Sequence, residues 1–220
     1  MTISIIDIFP ALWKGINITI TVLIASAIFG YSLAFIAGLC RLSSNPILRG
    51  FTTFYVEVFR GTSLIVQLFW LFYALPILFN INLGNEFWAG SLAIGLNYGA
   101  YMSEIVRGSI LSVAKGQTEA ATALNMSRFQ RMRLVILPQA VRMMLPEFGN
   151  YLIQMLKATS LVSLIGLTDV LYHGDILRSS NLAMAPTIYL IVLLFYFVLA
   201  LPLIWLTRKA ESISKKGVAN

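Results

Sequence analysis

At 220 residues, 58% hydrophobic and only 11% charged, the chain lacks the polar surface to cover a water-soluble core, which excludes a soluble globular domain. A net charge of +7 on so apolar a chain points to basic loops at anionic headgroups and calls for no nucleic-acid partner. The single cysteine, Cys40, excludes an internal disulfide and reads as a small apolar residue at a span end.

The elements follow in chain order. Met1–Pro10 has no basic n-region and no cleavage site, so the first span is expected to stay as an anchor. Its lead-in, with Ile3, Ile5, Ile6, Ile8, Phe9, Leu12 and Trp13, is expected to lie along the interface as a short helix. Ile16–Leu39 then runs 24 residues without a charge, Gly61–Phe79 runs 19, and Leu182–Thr207 runs 26. About 20 apolar residues at 1.5 Å rise cross a bilayer's hydrocarbon, so each run suffices. Two further spans, 87–110 and 148–171, are interrupted by Glu104 and Lys157. The expectation is five spans in a single domain over 1–220, near 16–39, 61–79, 87–110, 148–171 and 182–207. Trp13, Trp88 and Trp205 fall at span ends as interfacial anchors, and Pro76, Pro186 and Pro202 are placed to bend or end spans.

Basic residues choose the orientation. With the N-terminus outside, the inner segments hold Arg41, Arg49, Lys115, Arg128, Arg131, Arg133, Arg142, Arg208, Lys209, Lys215 and Lys216, against Lys14 and Arg178 outside. N-out, C-in is the expected topology. The one long polar connection, Ser112–Pro146, is then cytoplasmic, and it is where a cytoplasmic partner would dock.

Within it, Gly116–Pro138 carries its own structural signals. Thr118 reads as an N-cap and Glu119 suits the first turn of a helix. Ala120, Ala121 and Ala123 form helix with little bulk, so another surface can come close. Asn125 tolerates the left-handed conformation of a stop, after which a second, basic amphipathic helix runs to Pro138. The spacing predicts helix, bend, helix.

This segment resembles the EAA loop of ABC-type importer permeases, whose pattern is Glu-Ala-Ala, three residues, Gly, nine residues, Ile, one residue, Leu-Pro. Here Glu119-Ala120-Ala121, Asn125, Val135 and Leu137-Pro138 fall at those spacings, with Asn in place of Gly and Val in place of Ile. Tyr55-Val-Glu-Val-Phe-Arg-Gly-Thr-Ser63 with Val66-Gln67-Leu68, Asn97-Tyr-Gly-Ala-Tyr-Met-Ser-Glu-Ile-Val-Arg-Gly108 and Leu156-Lys-Ala-Thr-Ser-Leu161 resemble spans of the polar amino-acid branch. The family usually has Pro where Ser63 stands.

The resemblance implies an all-α type I importer permease in the bacterial inner membrane. It implies a second permease subunit, a pair of cytoplasmic ATPases and an extracytoplasmic substrate-binding protein. The coupling region, about 112–140, would meet the ATPase through Glu119, Ala120, Ala121, Asn125 and Arg128. This chain has no G-x-x-x-x-G-K-[ST] sequence, so ATP is expected on the partner, with no cofactor and no catalysis here. The rival reading is an ion-coupled secondary transporter or channel, which has no use for a docking helix.

Polar groups inside the spans are the candidate path. Glu57 with Arg60, and Glu104 with Arg107, stand at i and i+3 and are expected to pair locally. Lys157 has no acid at i±3 or i±4; it reads as a hinge or packing residue, or as a contact for a substrate carboxylate. Thr159 and Ser160 offer hydroxyls to their own helix or to a ligand. Gln67, Asn97, Tyr101 and Tyr151 could serve a zwitterion or bond between helices. Relatives handling cationic amino acids often carry acids near the positions of Tyr151 and Ala158. Their absence favours neutral or acidic amino acids, or a compatible solute such as ectoine. His173 has no second ligand nearby in sequence and reads as a solvated loop residue, not a metal site. Met143, Met144 and Met155 read as flexible core residues.

Overall fold

The computed structural model describes residues 5–80 and 83–215. Ile3 and Lys216 lie outside the described residues, as do the side chains of Ile5, Ile6 and Lys215. The described chain is helical throughout. In order come α1 (Ile5–Cys40), α2 (Pro46–Gly61), α3 (Leu64–Phe69), a π turn (Trp70–Ala74) and α4 (Leu75–Phe79). Then follow α5 (Glu86–Leu111), α6 (Lys115–Ala123), α7 (Arg128–Arg131), a second π turn (Met132–Ile136) and α8 (Leu137–Ala158). A 3-10 stretch (Thr159–Ile165), α9 (Val170–Ser180), a short 3-10 turn (Leu182–Met184) and α10 (Ala185–Lys215) complete it.

The starts are capped as the residue types dictate. Asn45 accepts from the amides of Ile47 and Leu48 with Pro46 at the first position of α2, and Asn85 accepts from Trp88 at α5. Ser127 and Gln130 form a reciprocal capping box at α7.

α5 is the central helix, packed along its length by α1 and flanked by α2, α3 and α8. Gly95 makes the α1 seam possible, because a Cβ there would lie 2.8 Å from the Cβ of Phe29. α8 and α10 meet as closely at Gly149, where a Cβ would lie 2.5 Å from the Thr207 hydroxyl. The core around these seams holds Val22, Met102, Val106, Met144, Met155 and Leu156.

Several expectations are corrected. Among the described residues no separate interfacial helix precedes the first span: α1 is continuous from Ile5, with Ile8 and Leu12 fully buried against Val170 and Ile188. The second expected span, 61–79, is α3–α4 with a π turn between them, and α2 precedes it across a 110° bend at Thr62–Ser63. The fourth leaves α-helical geometry at Thr159 and turns at Gly166 (φ +92) before α9. Pro138 does not end its helix; it occupies the tolerated first turn of α8 directly after the π turn. By length and apolarity alone, two described helices can cross a membrane, or up to four if each bent pair is one span. α5 is not among them. Its residues Ala93, Ile94, Asn97, Ala100 and Ser103 are buried by protein, so it needs no lipid-facing surface.

Candidate functional site

The break between α2 and α3 leaves helix-end carbonyls without partners inside their own helix. Three side chains answer them. Gln67 donates from Nε2 to the carbonyl oxygens of Phe59 (2.9 Å) and Thr62 (3.3 Å) and to the Thr62 hydroxyl (2.7 Å). Asn97 donates to the same Phe59 oxygen (3.0 Å) and to Oε1 of Gln67 (3.0 Å). Tyr101 donates to the carbonyl of Arg60 at 3.1 Å. With Gln67 8% and Asn97 5% exposed, both amides are engaged in holding the bend.

Beside the bend opens a cavity of about 380 Å³. Thr62, Ser63 and Leu64 form one wall, and Asn97, Tyr98 and Tyr101 of α5 form the next. Tyr151 and Gln154 of α8 close it. Tyr151 stacks on Tyr101 (6.3 Å between centroids) and meets Tyr98 edge-on (6.2 Å). None of these lining side chains is charged. An apolar recess of about 420 Å³ between α1, α8 and α10 has only the Tyr31 and Thr207 hydroxyls, and these bond to Phe148 and Leu203 carbonyls.

The expected path residues therefore separate. Gln67, Asn97, Tyr101 and Tyr151 gather at the bend and cavity. Thr159 is fully buried and bonds to Leu156 (2.7 Å), and Ser160 bonds to Lys157 (2.8 Å), so both hydroxyls serve their own helix. Lys157 is exposed near the end of α8, beyond the cavity lining. It belongs to a pattern that sequence reading missed. From Val141 to Ala158 the exposed residues of α8 are Arg142, Glu147, Asn150, Gln154 and Lys157, all polar. α10 instead exposes Leu190, Leu193, Phe197, Val198, Leu201 and Trp205. In an apolar bundle, α10 shows the surface that suits hydrocarbon and α8 one that requires water or protein.

The ion pairs are also corrected. Arg60 pairs with Glu104 (3.2 Å), not Glu57, and Glu104 gathers Arg41, just past the end of α1, and Arg107 (3.1 Å) as well. The i,i+3 rule found Arg107 but could not see Arg41 and Arg60, which are brought in from distant parts of the chain. Asp169 was overlooked too. It is fully buried, accepts from the Tyr172 amide (2.9 Å) and the Tyr196 hydroxyl (2.8 Å), and caps α9.

At the other end of α5, the N-cap of α6 is Ala114 rather than Thr118, whose carbonyl instead accepts from the Thr122 hydroxyl (2.7 Å). Asn125 takes φ +61, and the Met126 amide closes onto the Ala121 carbonyl at 3.1 Å. Arg131 ties the two arms by donating to the Thr122 hydroxyl (2.7 Å). Glu119, Ala120, Asn125 and Arg128 are exposed, while Ala121 is buried on the inner side. Leu124 and Phe129, also missed from sequence, stand exposed on either side of the elbow. His173 meets Tyr172 edge-on, and no cluster of metal-ligating side chains occurs among the described residues.

Residues 28–212 match the family described as binding-protein-dependent transport system inner membrane component. The chain is 47% identical over 210 residues to "Probable amino-acid ABC transporter permease protein y4tF" of Sinorhizobium fredii, covering 94% of this chain and 88% of that one. It is 36% identical over 202 residues to the glutamine transport system permease protein GlnP of Escherichia coli K12, covering 92% of each. Its structure superposes on a chain from the crystal structure of an amino acid ABC transporter with histidines, with a TM-score of 0.86, 33% identity, and coverage of 96% and 99%. An inward-facing MetNI methionine ABC transporter chain, at 17% identity, shares the fold with a TM-score of 0.71 over 91% and 96%. Fold, elbow and extent of match agree: the chain belongs to the family of inner-membrane permease components of binding-protein-dependent transport systems.

Proposed function

We propose that this chain is the permease subunit of an ATP-driven importer for amino acids or similar small zwitterions, with neutral or acidic amino acids favoured and a solute such as ectoine within the class. The observation that carries this is the uncharged, hydrogen-bonding cavity at the helix break. Its size falls in the range of about 300–1,000 Å³ usual for small-ligand sites. Tyrosine, serine, threonine and amide groups can both donate to a carboxylate and accept from an ammonium. No lining acid attracts a cationic side chain. Relatives named for amino-acid and glutamine transport support the same class.

In this reading the chain crosses five times, N-out and C-in, with α6 facing the cytosol. A second permease subunit completes the pathway, and a separate ATPase pair receives α6 and the elbow at Asn125. An extracytoplasmic binding protein delivers substrate. ATP-driven closure of the ATPases moves the cavity between its two openings. The test is uptake of tritiated standard L-amino acids by proteoliposomes holding the full complex. Uptake that needs ATP and falls in Tyr151→Ala and Gln154→Ala is expected. Normal uptake in both variants would remove the cavity from the path.

A further inference from the structure

The apolar recess between α1, α8 and α10 has no part in the cavity at the helix break. Its volume is about 420 Å³, and Tyr31 and Phe35 of α1, Leu145, Phe148 and Leu152 of α8 and Leu206 of α10 line it. The hydroxyls there are engaged by backbone: Tyr31 donates to the Phe148 carbonyl at 2.9 Å, and Thr207 to that of Leu203 at 2.9 Å. The recess thus offers water too few partners to hold it. It lies between two apolar surfaces. Ile28 and Leu39, one turn before Tyr31 and one turn after Phe35, are exposed, and so are Leu201 and Leu206 on α10. Such an opening suits hydrocarbon.

Positive charge collects beside it. Trp205, Arg208 and Lys209 stand at i, i+3 and i+4 on α10 and share one patch of its surface, all exposed. Leu206 of the recess wall lies three residues before Lys209, within the same patch. The Lys209 ammonium sits 5.2 Å from the centroid of the Trp205 ring, a cation–π contact that holds the charge next to that wall. Among the described residues neither Arg208 nor Lys209 has an ion pair, and the Trp205 indole N–H has no acceptor. Glu211, the nearest acid in sequence, pairs with neither cation.

We propose that this recess is a binding site for an anionic glycerophospholipid, with one acyl chain between α1, α8 and α10 and the phosphate held by Lys209, Arg208 and the Trp205 indole N–H. Shape and charge choose the occupant. A helix with its side chains is 10–12 Å across and fills roughly 500 Å³ per turn, so less than one turn could enter. A hydrocarbon chain is thinner and brings no polar group that would be left unpaired. Two cations without a counter-ion select a head with net negative charge, because a zwitterionic head carries its own cation to the same place. The bound lipid would touch three helices at once and so stabilise their packing. The site is independent of the cavity at the helix break.

The test reconstitutes the full complex in vesicles of equal parts phosphatidylcholine and phosphatidylglycerol, extracts it in mild detergent, and counts retained phospholipids by native mass spectrometry. Each basic residue near an anionic head contributes roughly a fivefold preference, so two, discounted for screening, should favour phosphatidylglycerol about tenfold. Arg208→Gln with Lys209→Gln is expected to bring the two lipids to parity. Leu145→Phe with Leu152→Phe narrows the recess, leaves the cations in place, and is expected to remove the retained lipid. Added phosphatidylglycerol should also raise the thermal midpoint of the unmodified complex in detergent and of neither variant. Equal retention of both lipids by the unmodified complex, or unchanged retention in either variant, would overturn the proposal. So would a narrowed recess that splits the complex while the lipid stays, which would seat a second copy of the chain there. Arg208 and Lys209 are exposed, so the Gln pair decides even where the Phe pair does not fold.

Discussion

Gln67 shows how one side chain can look like a ligand and act as a brace. Its amide donates to two carbonyls and a hydroxyl and accepts from Asn97, leaving no free donor for a substrate. Gln67→Met preserves volume and removes those bonds. Each buried carbonyl left unpaired costs about 1–3 kcal/mol, so uptake of all substrates should fall by a common factor. Competition assays that rank amino acids before and after the change check this; a reordered ranking would mean that the amide touches substrate. Glu104→Gln tests the hub beside it. Three guanidinium groups would lose their counter-charge, and partial exposure holds the expected loss to about 1–3 kcal/mol, read as a lower thermal midpoint in detergent.

The elbow after α6 is a matter of one backbone angle. Asn125 at φ +61 is a conformation that costs most other residues about 1–2 kcal/mol and costs glycine nothing. Asn125→Gly should therefore retain full ATP-driven uptake, while Asn125→Val should lose much of it without loss of insertion. Equal activity in both would show that the bend does not set the coupling. Glu119→Lys, on the exposed side of the same helix, is expected to abolish uptake or co-purification of the ATPase while the permease still inserts. The α8–α10 seam is held by close approach: Gly149→Val would drive methyl groups into Thr207, which a Cβ alone already meets at 2.5 Å. Core overpacking of this kind costs about 1–3 kcal/mol.

For the molecule as a whole, orientation is the property from which the remaining roles follow. In a Cys40→Ser background, Arg178→Cys should react with a membrane-impermeant maleimide added to intact spheroplasts, and Leu124→Cys only after permeabilisation. Labelling of Leu124→Cys from outside would place the elbow on the wrong face for an ATPase. The contrast between α8 and α10 belongs to this scale too. One helix turns polar residues outward and the other leucine and phenylalanine, so the molecule has one polar and one apolar face.

Local chemistry was legible in the residues themselves. Long apolar runs require helices in a membrane, because only helices satisfy their own backbone there. Asn125 announced its left-handed turn, and the elbow's spacing announced the family. The bend at Thr62–Ser63, the break at Thr159–Gly166 and the assignment of Arg60 to Glu104 were not legible, because each depends on partners far away in sequence. Spacing rules see neighbours one turn apart. They cannot see that Asn97 and Gln67 cap the same carbonyl, or that α5 is wrapped by protein and so freed from the need to be apolar. The sequence alone determined a helical membrane chain with a left-handed elbow at Asn125. Tertiary packing decided which polar groups brace the bend and which face the cavity, since hydrogen bonds and burial are properties of what the fold brings together.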